Sequence, residues 1–162
     1  MIANRRQFAL GLATVSLFPS SARAVTKPCA VTHVLFVCPM GSVKSAIARE
    51  ELRRAVKAHG LAVEVQSRGV NPANDISPGL AEHLHKAGIN PLADPLRRFS
   101  PEEAARSDIT IAFDEAAKAP GLEHARAWHS PSWNDDYINA KRVMDRHISA
   151  LADELAKRPC GR

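Results

Sequence analysis

This sequence predicts an α/β domain of three layers: a four-stranded parallel sheet with helices on both faces. Three observations point to it. Apolar strand-like runs alternate along the chain with segments whose apolar residues recur at helical spacing. The first run, Val31 to Val37, ends on four consecutive apolar residues, as suits a strand buried on both faces. The length of 162 residues gives room for one such domain with a proper core and not for two of ordinary size.

The chain opens with a segment outside that domain. Asn4-Arg5-Arg6-Gln7-Phe8 precedes an apolar run from Ala9 to Phe18, then Pro19, small residues and Ala22-Arg23-Ala24. This is the layout of an export signal with a cleavage site, and the arginine pair followed by Phe8 and Leu10 suggests the twin-arginine route. Residues 1–24 are therefore expected to be a signal and 25–162 a single domain, exported to the periplasm with Val25 as its first residue. The run is too short for a comfortable membrane span, so no stable membrane association is expected after cleavage. Removing it takes away three arginines and no acid, and the formal charge falls from +5 to +2. Aromatics make up 5% of the chain and interleave with no Lys/Arg run, so nucleic acid binding has little support; a small anion explains the charge better.

After the strand Val31 to Val37 come Cys38, a turn containing Gly41, and Lys44-Ser45 at the head of a helix expected over Ala46 to His59. Ile47, Ala48, Leu52, Ala55 and Val56 form its apolar side, and Gly60 closes it. Ala62 to Ser67 alternates as a second strand, Gly69 to Pro78 is a cluster of breakers, and Gly79 to Ala87 reads as a second helix. His83 and His85 are two apart on that helix, hence on different faces, which argues against a metal site. Ser100-Pro101-Glu102-Glu103 starts a short helix, with Ser100 as its N-cap. Asp108 to Phe113 is a third strand and His124 to Trp128 a weaker fourth. Asn134 to Asp136 then opens the last helix, whose stripe is Tyr137, Ala140, Met144, Ile148, Leu151 and Leu155. The order is β-α-β-α-α-β-β-α.

The chemistry gathers after the first strand. A short loop between a parallel strand and a helix leaves backbone N–H groups unpaired and turned into one cup, and the helix dipole adds positive potential there. Such a cup suits an oxyanion. A cysteine at that helix terminus, near a lysine, is placed to act as a thiolate nucleophile, although a free cysteine can also simply end a buried strand. A nucleotide-binding loop of the Gly-x4-Gly-Lys-Ser kind is ruled out, because Cys38 stands where its first glycine is required and Val43 precedes Lys44.

Val-Leu-Phe-Val-Cys, five residues, a basic residue and Ser45 resemble the phosphate loop of the low-molecular-weight protein tyrosine phosphatases and their arsenate reductase relatives. The family pattern is Cys, five residues, Arg, then Ser or Thr; here Lys44 replaces the arginine, and Pro39-Met40-Gly41 replaces a usual Gly-Asn pair. The resemblance covers nearly all of Val31 to Leu155. It implies that Cys38 is the nucleophile, that Pro39, Met40, Gly41, Ser42, Val43 and Lys44 hold phosphate, and that Ser45 donates to the sulfur. No metal or other cofactor is required. In that family an Asp-Pro in the loop after the fourth strand protonates the leaving oxygen, but Ser130-Pro131 stands there in this chain. The nearest acids are Asp135 and Asp136, either of which could instead cap the last helix, and His129 is the next candidate. Trp133 could rim an aryl site or pack into the core.

Three functions follow as expectations. The leading one is hydrolysis of a phosphomonoester, a protein phosphotyrosine or small aryl phosphate, through a cysteinyl-phosphate. The second is a weak or silent relative that binds an oxyanion. The third is arsenate reduction with an external thiol, since no cysteine lies between Pro39 and Pro159. Cys29 and Cys160 are expected on the face opposite the loop, where an oxidising compartment could join them in a disulfide. Cys38, nine positions along an extended strand from Cys29, is roughly 30 Å away and out of reach.

Overall fold

The computed structural model describes residues 30–158. The expected export signal, Val25 and both Cys29 and Cys160 lie outside the described residues. Four strands, β1 (Thr32–Cys38), β2 (Val63–Gly69), β3 (Ile109–Phe113) and β4 (Arg126–Trp128), pair in parallel in the order β2-β1-β3-β4. Between and after them run α1 (Lys44–Ala58), α2 (Pro78–Lys86), α3 (Pro101–Arg106) and α4 (Tyr137–Ala156). The predicted element order and the parallel sheet are both present. Among the described residues, no helix is long and apolar enough to cross a membrane.

Pleating splits β1 between two cores. Val34, Phe36 and Cys38 face a large cluster with Ile47 and Leu52 of α1 and Met144, Ile148 and Leu151 of α4. Leu35 and Val37 face a smaller one with Ala112, Ala116 and Leu122, against which Phe99 and Ala104 pack. From Val34 to Cys38 no residue of β1 is more than 3% exposed, because neighbouring strands cover both edges and helices both faces. The strand is the rigid post on which its C-terminal residue, Cys38, is mounted.

Several boundaries differ from expectation; β2, expected to end at Ser67, runs on to Gly69. β1 runs one residue further and includes Cys38, while α1 starts at Lys44, two residues earlier, so the loop between them is tighter. β4 is only three residues long, since His124 and Ala125 belong to the turn that leads into it. Asp114 to Lys118 forms a 3-10 turn that the pattern did not foretell. Ser100 holds the N-cap position of α3, but its side chain makes no cap hydrogen bond.

Candidate active site

In a parallel sheet every strand delivers its following loop to the same edge, and here that edge carries the loops after β1, β2, β3 and β4. The loop 39–43 is pinned from behind. The N–H groups of Val70, Asn71 and Ala73 donate to the carbonyls of Cys38, Pro39 and Met40 at 3.1, 2.8 and 3.0 Å, and Asp75 N–H donates to Ser42 Oγ at 3.0 Å. With those carbonyls engaged on that side, Gly41 N–H turns to the other, onto the Cys38 sulfur. Gly41 sits at φ +76°, and a Cβ there would stand 2.8 Å from the backbone nitrogen of Gly69. Only glycine permits both the turn and the approach.

Cys38 lies at the centre of this loop, buried, with Gly41 N–H donating to its sulfur at 3.1 Å and the hydroxyl of Ser45 also 3.1 Å away. Ser45 Oγ is 3.2 Å from the carbonyl of Arg68 as well. A hydroxyl has one proton to give. Against a thiol, Ser45 can accept from sulfur and donate to Arg68; against a thiolate, it can turn that proton onto sulfur. The pair thus accommodates a sulfur that gains and loses charge.

α1 begins with no side-chain cap at Val43, so its first-turn N–H groups remain open. The cleft they border has a volume of about 260 Å³ and is lined by Cys38, Lys44, Asp75, Asp114, Ser132 and Trp133, among others. Larger depressions exist, but size does not locate chemistry. The one of about 590 Å³ between β2 and α3 is lined by Arg68 and Glu103, which are joined to each other at 2.6 Å.

The predicted residues fall in different places. Cys38, Pro39, Met40, Val43 and Lys44 line the cleft, and Gly41, Ser42 and Ser45 shape it through the bonds above. The ammonium of Lys44 does not lie free in the cup: it donates to Asp114 Oδ2 at 2.5 Å and to the Ser130 carbonyl at 2.6 Å. Asp136 is the N-cap of α4 and accepts from Asn139 N–H at 3.2 Å. Asp135 is exposed and accepts from the Ser132 hydroxyl at 2.6 Å, one side chain away from the cleft wall. His129 is largely exposed, its Nδ1 3.5 Å from Asp114 Oδ1. Trp133 is 2% exposed; it packs in the larger core, edge-on to Tyr137, while presenting one side to the cleft. His83 stacks on Tyr137 at 4.3 Å.

Asp114 and Asp75 were missed. Asp114 follows β3 directly and adopts a left-handed φ of +51°, which aspartate tolerates better than most residues. An acid at the carboxyl end of a parallel strand was the available signal. Asp75 carried no comparable mark, since it lies within the breaker cluster after β2.

A family model described as low molecular weight phosphotyrosine protein phosphatase matches residues 33–150. No curated protein matches the chain at a significant level. Among solved structures, the YwlE arginine phosphatase with a phosphorylated active-site serine superposes with a TM-score of 0.62 at 18% identity, over 81% of this chain and 100% of that one. A thioredoxin-dependent arsenate reductase of Corynebacterium glutamicum gives 0.56 at 26% identity, over 78% and 62%. A low molecular weight protein tyrosine phosphatase of Streptococcus pyogenes gives 0.61 at 15% identity, over 79% and 95%.

Proposed function

The chain belongs to the low molecular weight phosphotyrosine protein phosphatase family, and from that premise we propose that it hydrolyses phosphomonoesters through a cysteinyl-phosphate intermediate. The observation that carries this reading is the Cys38 sulfur set under an uncapped helix terminus, with Gly41 N–H and Ser45 hydroxyl each at 3.1 Å. In the first step Sγ attacks phosphorus, the S–P bond forms as the P–O bond to the leaving group breaks, and that oxygen takes a proton. Backbone N–H groups and Lys44 hold the equatorial oxygens. In the second step water attacks phosphorus and returns a proton to the acid, and Ser45 eases the departure of sulfur as thiolate.

With Asp114 tied to Lys44, the proton comes from one of two other carboxylates: Asp135, through the Ser132 hydroxyl it holds, or Asp75, which lines the cleft directly. Replacing the true donor with Asn slows esters of poor leaving groups far more than those of good ones, and equal slowing of both rejects that residue as the acid. The whole reading is tested by phosphate release from an aryl phosphate: wild type should turn over and Cys38→Ser should not. Hydrolysis that persists without Cys38 rejects the covalent route.

One observation favours a second reading, an oxyanion-binding relative with weak or no turnover. Lys44 is tied to Asp114 and Ser130, and Ser130 stands where the family pattern carries its acid. Binding of phosphate without hydrolysis by wild type decides for it. Arsenate reduction, the activity named for two similar structures, would need a second thiol, since Cys38 is the free cysteine among the described residues. Arsenite formation with a small thiol, abolished by Cys38→Ser, tests it.

The proposal extends to compartment: Arg5-Arg6, the apolar run and Ala22-Arg23-Ala24 support export to the periplasm. N-terminal sequencing should read Val25, and an intact Met1 overturns it. A Cys29–Cys160 disulfide is the companion proposal, read from the mass of tryptic peptides with and without reductant.

A further inference from the structure

We propose that Asp114 is a positioning residue that latches the Lys44 ammonium at the edge of the cup and thereby sets how tightly the loop holds an oxyanion; the proposal rests on the oxyanion reading of this site. The lysine and the aspartate are 70 residues apart and meet only because β1 and β3 are neighbours. An ammonium has three N–H donors and no other reach. Two of the three are engaged, by Asp114 Oδ2 at 2.5 Å and Ser130 O at 2.6 Å, and both side chains are mostly covered, at 20% and 26% exposure. The other carboxylate oxygen is turned to the loop after β4, with Ser130 N–H at 3.4 Å and His129 Nδ1 at 3.5 Å. Asp114 therefore fastens Lys44 and that loop to each other from a backbone conformation few residues accept.

The consequence is electrostatic. Charges a few ångströms apart in a partly covered site interact by several-fold more than in bulk water, so an incoming dianion meets a lysine already neutralised and must compete with the carboxylate for it. A planar guanidinium could serve carboxylate and anion together through its fork; a single ammonium cannot do so equally well.

The test is the dissociation constant of inorganic phosphate, by calorimetry, for wild type, Asp114→Asn, Lys44→Met and the double variant, with circular dichroism on each. Asparagine tolerates the same left-handed φ, so Asp114→Asn keeps the backbone and removes the charge. The latch predicts phosphate binding about tenfold or more tighter in Asp114→Asn. It also predicts that the double variant binds no tighter than Lys44→Met. Unchanged or weaker binding in a folded Asp114→Asn overturns the latch, as does a gain that persists without Lys44. Should Asp114→Asn fail to fold, Lys44→Arg decides: the latch predicts tighter binding, and an unchanged constant overturns it. Lack of hydrolysis alongside a Lys44-dependent gain in binding refutes only the hydrolytic reading, whereas turnover with equal constants refutes only the latch. Absence of phosphate binding in wild type and Asp114→Asn alike overturns the latch together with the cup.

Discussion

The helices α1 and α4 both start at the carboxyl edge of the sheet, yet their first turns are finished differently. Asp136 caps α4 with its own carboxylate, at 3.2 Å from Asn139 N–H. α1 has no such group: Val43 cannot accept a hydrogen bond through its side chain, and Val43 and Lys44 line the same cleft as Cys38. A capped terminus is closed to ligands, and an uncapped one is completed only by something that arrives. The difference separates the part of this edge that does chemistry from the part that builds the wall, and each of the following substitutions acts on one side of it.

The largest effect belongs to the open terminus. Cys38→Ser should remove aryl phosphate turnover entirely while phosphate binding, which needs only the N–H groups and Lys44, stays within a few-fold of wild type by calorimetry. Loss of binding together with turnover would mean that the sulfur holds the loop in shape. Next comes the cation. Lys44→Ala should cost on the order of a hundredfold in kcat/KM, as for removal of one strong oxyanion donor, along with some stability, since it leaves the mostly covered Asp114 carboxylate unpaired. A drop below tenfold would leave the backbone N–H groups as the main grip.

The loop can also be broken without touching a reacting group. Gly41→Ala would force a Cβ at φ +76° to within 2.8 Å of Gly69, so either the loop or the end of β2 must move. Roughly 1–3 kcal/mol of stability should be lost in denaturant unfolding, together with phosphate binding. Retained binding would show that the cup tolerates a displaced backbone. On the capped side, Asp136→Ala should cost about 1 kcal/mol and leave the leaving-group dependence of turnover unchanged. A selective loss on poor leaving groups would move Asp136 from wall to catalyst.

The same comparison explains what was legible in the sequence. Val34 to Val37 announced a buried strand because local apolarity decides burial there, and the spacing of Ile47, Leu52 and Val56 announced α1 for the same reason. Cys38, Lys44 and Ser45 were readable because eight consecutive positions, Cys38 to Ser45, carry the motif. The engagement of Lys44 was not, since it depends on Asp114 and Ser130, 70 and 86 residues away, and on which strand lies beside β1. Asp136 could be read as cap or acid with equal ease: an aspartate before a helix looks the same in either role until its partner is seen. The strand order and the 3-10 turn after β3 likewise follow from packing and left no periodic trace.

The smallest effect lies on the wall, away from the cleft. His147 of α4 stacks on Trp128 of β4 at 4.5 Å, nearly parallel, and so joins the last strand to the last helix. Burial holds its pKa below the ordinary histidine value; the hydrogen bond with the His129 backbone opposes the shift and Arg146 adds to it. Between that lowered value and about 6.5, the unfolded chain binds a proton that the native one refuses. Stability should therefore decline as the pH falls through about 6.5 and stop declining on this account once the native histidine is itself protonated. His147→Phe keeps the stack but has nothing to protonate, so unfolding midpoints measured from about pH 7 to pH 5 should fall less steeply than in wild type. An identical slope would place the titration elsewhere. Because His147 faces Trp128 and not the open terminus of α1, turnover relative to the folded fraction should be the same in both proteins at each pH, and a change in it would show that wall and cup are coupled.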